Sequence, residues 1–235
     1  MSKLDEYSLP ELYGLFLRFC SSKEVINLRR TSKSFYKKIP ASWEATELFI
    51  QYEQSLEHLT DYRFLNRLSV TFHNIKKLSL STRFEQLDDL TLVKLNNLEE
   101  IKLDPRLRRV QRIFINYAKK LTRVDIPQTY TCLDMIYLSH LNISTFTIWH
   151  TWSQIQVVAL VGIPRIKTLI IPEECTRLNY LNISQSGISE IYLHPYLNDL
   201  LTIQATEMHT PVVLYTHPKN NDHLQTTCVI VLKTI

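Results

Sequence analysis

The chain has 235 residues, of which 45% are apolar and 21% charged, with a formal net charge of +4 at pH 7. This composition excludes intrinsic disorder, and its 27 basic and 23 acidic residues form no long runs of one sign, so it gives little support to a nucleic-acid or membrane partner. No apolar run approaches the roughly 20 residues that cross a bilayer, and the four scattered cysteines make no zinc or redox motif, so we expect an intracellular protein with reduced thiols.

Residues 8–39 have apolar positions at helical spacing. Ser8 with Glu11, and later Ser21 with Glu24, form capping-box patterns that begin helices. The segment therefore predicts two short helices and a third towards its end.

The same segment contains LP followed by an acidic residue and Leu, a spaced FxxF pair, the stretch SSKEVINL and the run TSKSFY, which together resemble an F-box. The resemblance implies a three-helix cluster that docks onto the Skp-family adaptor of a cullin-based, SCF-type ubiquitin ligase. The expected adaptor-binding residues are Leu9, Pro10, Leu12, Phe16, Phe19, Val25, Leu28 and Phe35. A forty-residue helical piece has too little core to stand alone, so it would bury its apolar residues on a partner, on the next domain or on both. The alternative to an F-box is that these helices only cap the N-terminal edge of the next domain.

Beyond residue 64 an LxxLxL-like triplet recurs, and we call its central residue the anchor. The anchors return every 10 to 12 residues, so that every second one is 22 or 23 residues apart. They are Leu78, Leu90, Ile101, Ile113, Val124, Ile136, Phe146, Val158, Leu169, Leu181, Ile191 and Ile203, with Leu68 in one further half-coil at the start. Because the residue two after each anchor is also apolar, each triplet predicts a short strand facing a core. Self-similarity at this period predicts a solenoid with two strands per coil of about 23 residues.

The two halves of each coil differ at the corner after the strand. A bulky residue lies six after the anchor in the longer half and five after it in the shorter half. These corner residues are Phe84, Leu107, Tyr130, Trp152, Cys175 and Leu197 in the longer halves, and Leu95, Ala118, Leu141, Ile163, Ser186 and Met208 in the shorter halves. The triplets resemble leucine-rich repeats, but the shorter-half corners lack the Asn of that family. We therefore expect a parallel β-solenoid with two strand ladders and no buried Asn ladder.

These elements predict an α+β fold in four parts. An F-box-like helical segment covers residues 1–45, a connecting helix or linker 46–64, the leucine-rich-repeat-like solenoid 65–210 and a C-terminal β cap 211–235. The cap is predicted from PVVLY and TCVIVL, two strands joined by the loop HPKNNDH. A solenoid needs such a cap because an open edge strand pairs with other chains.

The sequence offers no site for catalysis. Its three glycines stand alone, which excludes phosphate-binding loops and nucleophile elbows, and His209, His217 and His223 lack metal-ligand spacing. The carboxylate pairs Asp88–Asp89 and Glu99–Glu100 have the basic neighbours Lys76, Lys77, Arg112 and Arg123. Such neighbours indicate solvated charges, not an acid–base pair. We expect no enzyme activity, no metal and no cofactor.

Residues one before and one after each anchor point away from the core. In the longer halves they are polar and of mixed sign, whereas the middle shorter halves carry Phe114, Met135, Tyr137, Val157 and Tyr180. Monomers seldom expose such a group, and Tyr, Phe and Met are enriched at protein interfaces. We predict that these five residues, here called the apolar patch, bind a target protein. The alternative is that a convex segment or the cap covers them.

The leading hypothesis is a substrate-recognition subunit of an SCF-type E3 ubiquitin ligase, located in the cytoplasm or also in the nucleus. Its F-box would dock the Skp-family adaptor and its solenoid would bind an unknown target protein, so that it adds proximity instead of chemistry. The alternative is a leucine-rich-repeat protein-binding scaffold with no ubiquitin role. An enzyme or a nucleic-acid binder is disfavoured by the missing motifs and the dispersed charge.

Overall fold

The computed structural model describes residues 47–50, 65–71, 74–81, 84–194, 201–216, 224–226 and 230–234. Within these ranges the chain forms strands and turns but no α-helix, and therefore no helix that could cross a membrane. The predicted F-box-like helices lie outside the described residues. The strands are β1 (Glu47–Ile50), β2 (Arg67–Thr71), β3 (Lys77–Leu80), β4 (Asp89–Val93), β5 (Glu100–Leu103), β6 (Arg112–Asn116), β7 (Met135–Ser139), β8 (Val157–Val161), β9 (Thr168–Ile170), β10 (Tyr180–Asn182), β11 (Glu190–Tyr192), β12 (Leu201–Gln204), β13 (Val212–Thr216), β14 (Leu224–Thr226) and β15 (Ile230–Thr234).

A nine-stranded sheet forms one side of the solenoid, in the order β1-β2-β4-β6-β7-β8-β10-β12-β14, with parallel pairing throughout. Its strands come from the shorter halves of the coils, so each coil of about 23 residues adds one strand. The anchors pair in register from coil to coil, in the series Leu68, Leu90, Ile113, Ile136, Val158, Leu181 and Ile203. The predicted parallel β-solenoid with coils of about 23 residues is confirmed.

The second ladder is shorter than predicted. β3 pairs with β5, and β9, β11, β13 and β15 form a separate four-stranded sheet. Leu78 and Ile101 are register partners, but the next two anchors, Val124 and Phe146, lie in no strand. At this break the indole Nε1 of Trp149 donates to the carbonyl of Ile126 at 2.9 Å. A side chain thus occupies a backbone acceptor that strand pairing would otherwise use.

The two sheets extend beyond the predicted boundaries of the solenoid. β1 lies in the segment predicted as a connecting helix or linker and pairs with β2. β14 and β15, from the predicted cap, pair in parallel with β12 and β13. β13 has the same alternation of buried and half-buried residues as the earlier strands, and β13 and β15 stack as further half-coils of the four-stranded sheet.

The predicted corner residues fill the core in the described coils. Trp152, Tyr130 and Cys175 are fully buried, and among the shorter-half corners only Met208 is partly buried. The hydroxyl of Tyr130 donates to the carbonyl of Asp104 at 3.1 Å, which satisfies a polar group inside the corner. Burial raises the pKa of the Cys175 thiol to about 12, so this thiol stays protonated near neutral pH.

Each central strand of the nine-stranded sheet is followed, within three residues, by a residue with left-handed backbone geometry. The φ angles lie between 54° and 62° at Lys94, Tyr117, His140, Gly162, Gln185 and Glu207. The amides of the first five donate to a carbonyl in the next coil, at 2.8 to 3.0 Å. These turns extend the ladder by one hydrogen bond and direct the chain into the next corner.

Candidate protein-binding surface

The outward residues of the nine-stranded sheet form its outer face, and the apolar patch lies at the centre of that face. Strand alternation places the residue before and the residue after each anchor on this side. Met135, Val157 and Tyr180 are register partners in one row, and Phe114 and Tyr137 are partners in the other. The structure thus brings together all five residues that the sequence analysis grouped.

A stacked pair of rings forms the middle of the patch. The ring centroids of Phe114 and Tyr137 lie 4.4 Å apart with an angle of 9° between the planes. All five residues of the patch are half-buried, because each ring or side chain is partly covered by its neighbours in the next coil. Such a surface is ordered before any partner arrives, which reduces the entropy lost on binding.

One end of the outer face carries a chain of ion pairs. Asp89 accepts two hydrogen bonds from the guanidinium of Arg112, at 2.6 and 2.8 Å, and lies 3.0 Å from Arg67. The hydrogen bonds with Asp89 raise the pKa of Arg112 further above its usual value. The predicted role of Arg112 beside the carboxylate pair is confirmed, and the pairing of Asp88 with Arg109 at 3.3 Å was not predicted.

The opposite end of the outer face is polar. The hydroxyl of Tyr180 donates to the side-chain oxygen of Gln204. The amide nitrogen of Asn182 lies 3.4 Å from the Tyr180 hydroxyl and 3.3 Å from the same Gln204 oxygen. This network holds the ring of Tyr180 at the boundary between apolar and polar surface.

A second aromatic pair beside the patch was missed by the sequence analysis. The rings of Tyr117 and His140 stack at 4.3 Å, and Tyr117 is 38% exposed. Nδ1 of His140 lies 2.6 Å from the hydroxyl oxygen of Ser139. Both rings occupy the left-handed position four residues after an anchor, and that recurring position is the signal that could have found them.

The outer face is open within the described part of the chain. Every extensive strand–strand contact there joins hydrogen-bonded neighbours, so no strand packs across the apolar patch. The sequence analysis left open that the C-terminal cap covers the patch. The described cap strands β13, β14 and β15 instead extend the two sheets. The described part of the chain therefore leaves the apolar patch uncovered.

The four-stranded sheet has a smaller apolar surface of its own. Tyr192 and Tyr215 stack with centroids 4.3 Å apart, and Ile170 and Val231 are 63% and 45% exposed. The sequence analysis described the outward side of the longer halves as polar, which holds for the earlier coils and fails for these later ones.

A groove of about 760 Å³ follows the break in the second ladder, between the strand β5 and the anchors Val124 and Phe146. Its charged lining is largely paired within the chain. Lys77 lies 2.9 Å from Glu100, and Arg123 lies 2.6 Å from Asp125. The groove therefore presents fewer unpaired recognition groups than its composition suggests.

Sites for metal or adaptor binding do not emerge from the described residues. No group of three or more His, Cys, Asp or Glu side chains able to hold a metal occurs among them. His209 is exposed, whereas His217 and His223 lie outside the described ranges. The predicted adaptor-binding residues, from Leu9 to Phe35, also lie outside those ranges.

No protein-family model and no curated protein matches the chain. Among solved structures it is similar to the plant peptide hormone receptor RGFR1 in complex with RGF2, with 17% identity and a TM-score of 0.46 over 80% of this chain. It is also similar to a leucine-rich-repeat protein of Leptospira interrogans, with 12% identity and a TM-score of 0.29 over 84% of this chain. The chain covers 36% of the receptor chain and 70% of the bacterial one. The fold type rests on the coils described above, and neither structure assigns a role.

Proposed function

We propose that the chain is a protein-binding scaffold that holds a target protein on the outer face of its nine-stranded sheet. The observation that carries this proposal is the apolar patch, with stacked Phe114 and Tyr137 at its centre and polar ends on both sides. Rigid aromatic side chains surrounded by polar residues have the composition of a binding hot spot. The scaffold acts by holding its target and has no catalytic role of its own.

The energetics of the patch agree with such a role. Full burial of a large, exposed apolar side chain contributes about 1.5–3 kcal/mol. The side chains of the patch are already half-buried, so covering each of them with a partner contributes only part of that free energy. Five adjacent side chains therefore supply enough driving force for a specific complex, provided that the partner matches their shape.

The test compares two variants that each remove one stacked tyrosine. Tyr137→Ala removes a ring from the apolar patch, and Tyr192→Ala removes the matched ring from the four-stranded sheet. Because the stacks are alike, each variant should lose about 1 kcal/mol of unfolding free energy. Proteins retained from a cell extract by wild type and by Tyr192→Ala should be lost from Tyr137→Ala, as measured by quantitative mass spectrometry.

The proposal fails if both variants retain the same proteins as wild type. A fall of more than about 3 kcal/mol in the stability of Tyr137→Ala would identify the ring as a core residue, which also contradicts the proposal.

The finer proposal is that this scaffold selects targets for an SCF-type ubiquitin ligase in the cytoplasm or nucleus. It is supported by the F-box-like sequence of residues 8–39 and by the common arrangement of an F-box before leucine-rich repeats. In this role the chain would join its target to a Skp-family adaptor and thereby to the ubiquitin-transferring enzyme.

Retention of a purified Skp-family adaptor by the full-length chain tests the finer proposal. Leu9→Ala combined with Pro10→Ala should abolish retention, whereas Ser2→Ala combined with Lys3→Ala, just before the motif, should leave it unchanged. If wild type retains no adaptor, or if the first pair has no effect, the ligase role is wrong and the scaffold role stands by itself.

A further inference from the structure

We propose that Asp134 selects targets that present a Lys or Arg side chain next to an apolar one. The carboxylate would pair with the target's cation while the apolar patch takes the neighbouring side chain. This inference rests on the proposed scaffold function and specifies the chemistry of the target.

Asp134 is held at the edge of the apolar patch by the backbone of three coils. It directly precedes β7, whose first residue, Met135, belongs to the patch. Its amide donates to the carbonyl of Gln111 at 2.9 Å, and its own carbonyl accepts from the amides of Gln156 and Val157 at 2.8 and 3.1 Å. The backbone of Asp134 is therefore held next to Met135 of the patch before a target binds.

The charge of Asp134 is not neutralised by a partner in the described part of the chain. Its side chain makes no ion pair within 4 Å and no hydrogen bond to another side chain there. The nearest cation in the neighbouring coil, Arg112, is engaged by Asp89 through two hydrogen bonds, and Asp89 also has Arg67. Within the described part of the chain, the carboxylate of Asp134 has only its own backbone amide and the nearby charge of Arg112 to favour its ionised form, and no cation pairs with it directly.

The surroundings of Asp134 raise the free-energy cost of keeping its carboxylate charged without a cationic partner. Asp134 is half-buried, and burial is the main cause that raises the pKa of its carboxyl, ahead of the opposing effect of Arg112. When a neutral ligand covers this carboxylate, the carboxylate loses its remaining water molecules. No new interaction then compensates for the desolvation cost. A cationic side chain supplies that compensation, so the site discriminates between targets by charge.

A library of random twelve-residue peptides displayed on phage tests this inference. It is selected in parallel on wild type, on Asp134→Asn, on Tyr137→Ala and on Asp125→Asn, a control that removes a carboxylate at the break in the second ladder. Asparagine keeps the shape of the side chain and removes its charge, so the fold is preserved. Peptides selected on wild type and on Asp125→Asn should be enriched in Lys or Arg adjacent to an aromatic or aliphatic residue.

On Asp134→Asn the basic enrichment should disappear while the apolar enrichment remains. Individual wild-type-selected peptides should bind Asp134→Asn about fivefold more weakly, with a weaker dependence on salt. If selected peptides lack basic residues, or bind Asp134→Asn as tightly as wild type, the inference is overturned and the scaffold function stands. If no peptide is enriched, or if enrichment survives Tyr137→Ala, the proposed function fails together with the inference.

Discussion

At the scale of single residues, the two described glycines lie where neighbouring coils come close together. A Cβ atom built on Gly187 would lie 1.9 Å from the carbonyl oxygen of Pro164 in the preceding coil. A Cβ on Gly162, which has a φ of +62°, would lie 3.2 Å from the ring of His140. The obstacle is fixed backbone in the first case and a movable side chain in the second.

We predict that Gly187→Ala destabilises the protein by about 3 kcal/mol, because the coils must separate to admit the methyl group. Gly162→Ala should cost only about 1 kcal/mol. The equivalent left-handed position already carries Lys, Tyr, His, Gln or Glu in five other coils, so a side chain is tolerated there. Chemical denaturation of both variants measures the difference, and equal losses would contradict the close approach of the chain at Gly187.

At the scale of the elements, the corners hold the coils together as much as the strands do. Trp152 is fully buried in a longer-half corner, and Tyr130 occupies the same position one coil earlier. Leucine-rich repeats use a buried Asn at the corresponding corner of the other half, whereas this chain has apolar side chains at five of those six corners and a buried Ser186 at the sixth. Its corners are therefore stabilised by burial, with few polar groups to satisfy.

We predict that Trp152→Ala costs about 3–5 kcal/mol of unfolding free energy, because it leaves a large cavity between two coils. Tyr130→Phe keeps the volume of the ring and removes only the hydrogen bond to Asp104, so its cost should be about 1 kcal/mol. Thermal unfolding followed by circular dichroism compares the two. A Trp152→Ala variant as stable as Tyr130→Phe would show that the corners do not carry the packing.

The strand elements of the nine-stranded sheet could be predicted from the sequence because burial there imposes a strict repeat. An anchor such as Ile136 must match its neighbours above and below, so the pattern survives in every coil. The break at Val124 and Phe146 could not be predicted, since both anchors keep the apolar pattern, and the hydrogen bond from the indole of Trp149 to the carbonyl of Ile126 leaves no trace in that pattern. The anchor pattern predicts which side chains are buried, but it does not predict which backbone groups form hydrogen bonds between coils.

The candidate site was partly predictable for the same reason. Phe114 and Tyr137 were grouped because strand alternation fixes which side chains face outward. Tyr117 and His140 were missed because they lie in a left-handed turn, where alternation no longer applies. The absence of an ion pair at Asp134 in the described part of the chain could not be predicted either, because it depends on Arg112 pairing with Asp89.

At the scale of the whole molecule, stability accumulates along the coils. Extensive contacts in the described part join neighbouring strands only, so each coil is supported by the one before and the one after it. The nine-stranded sheet is continuous over these coils, whereas the second ladder is interrupted for two of them. The two sides of the solenoid should therefore differ in local stability even within one coil.

Amide hydrogen exchange followed by mass spectrometry provides the measurement. No amide of residues 122–126 or 144–148 donates to a backbone carbonyl in the described part of the chain, whereas those of β7 and β8 lie in a continuous parallel ladder. We predict that peptides from β7 and β8 exchange at least about a hundredfold more slowly than peptides from the two segments at the break, because exchange from a ladder requires a larger opening.

The pair β3–β5 serves as the internal control, since it belongs to the second ladder but is hydrogen-bonded, and should exchange at an intermediate rate. Equal protection on both sides of a coil would mean that the second ladder is closed in solution, and the groove beside Phe146 would then not exist in the form described.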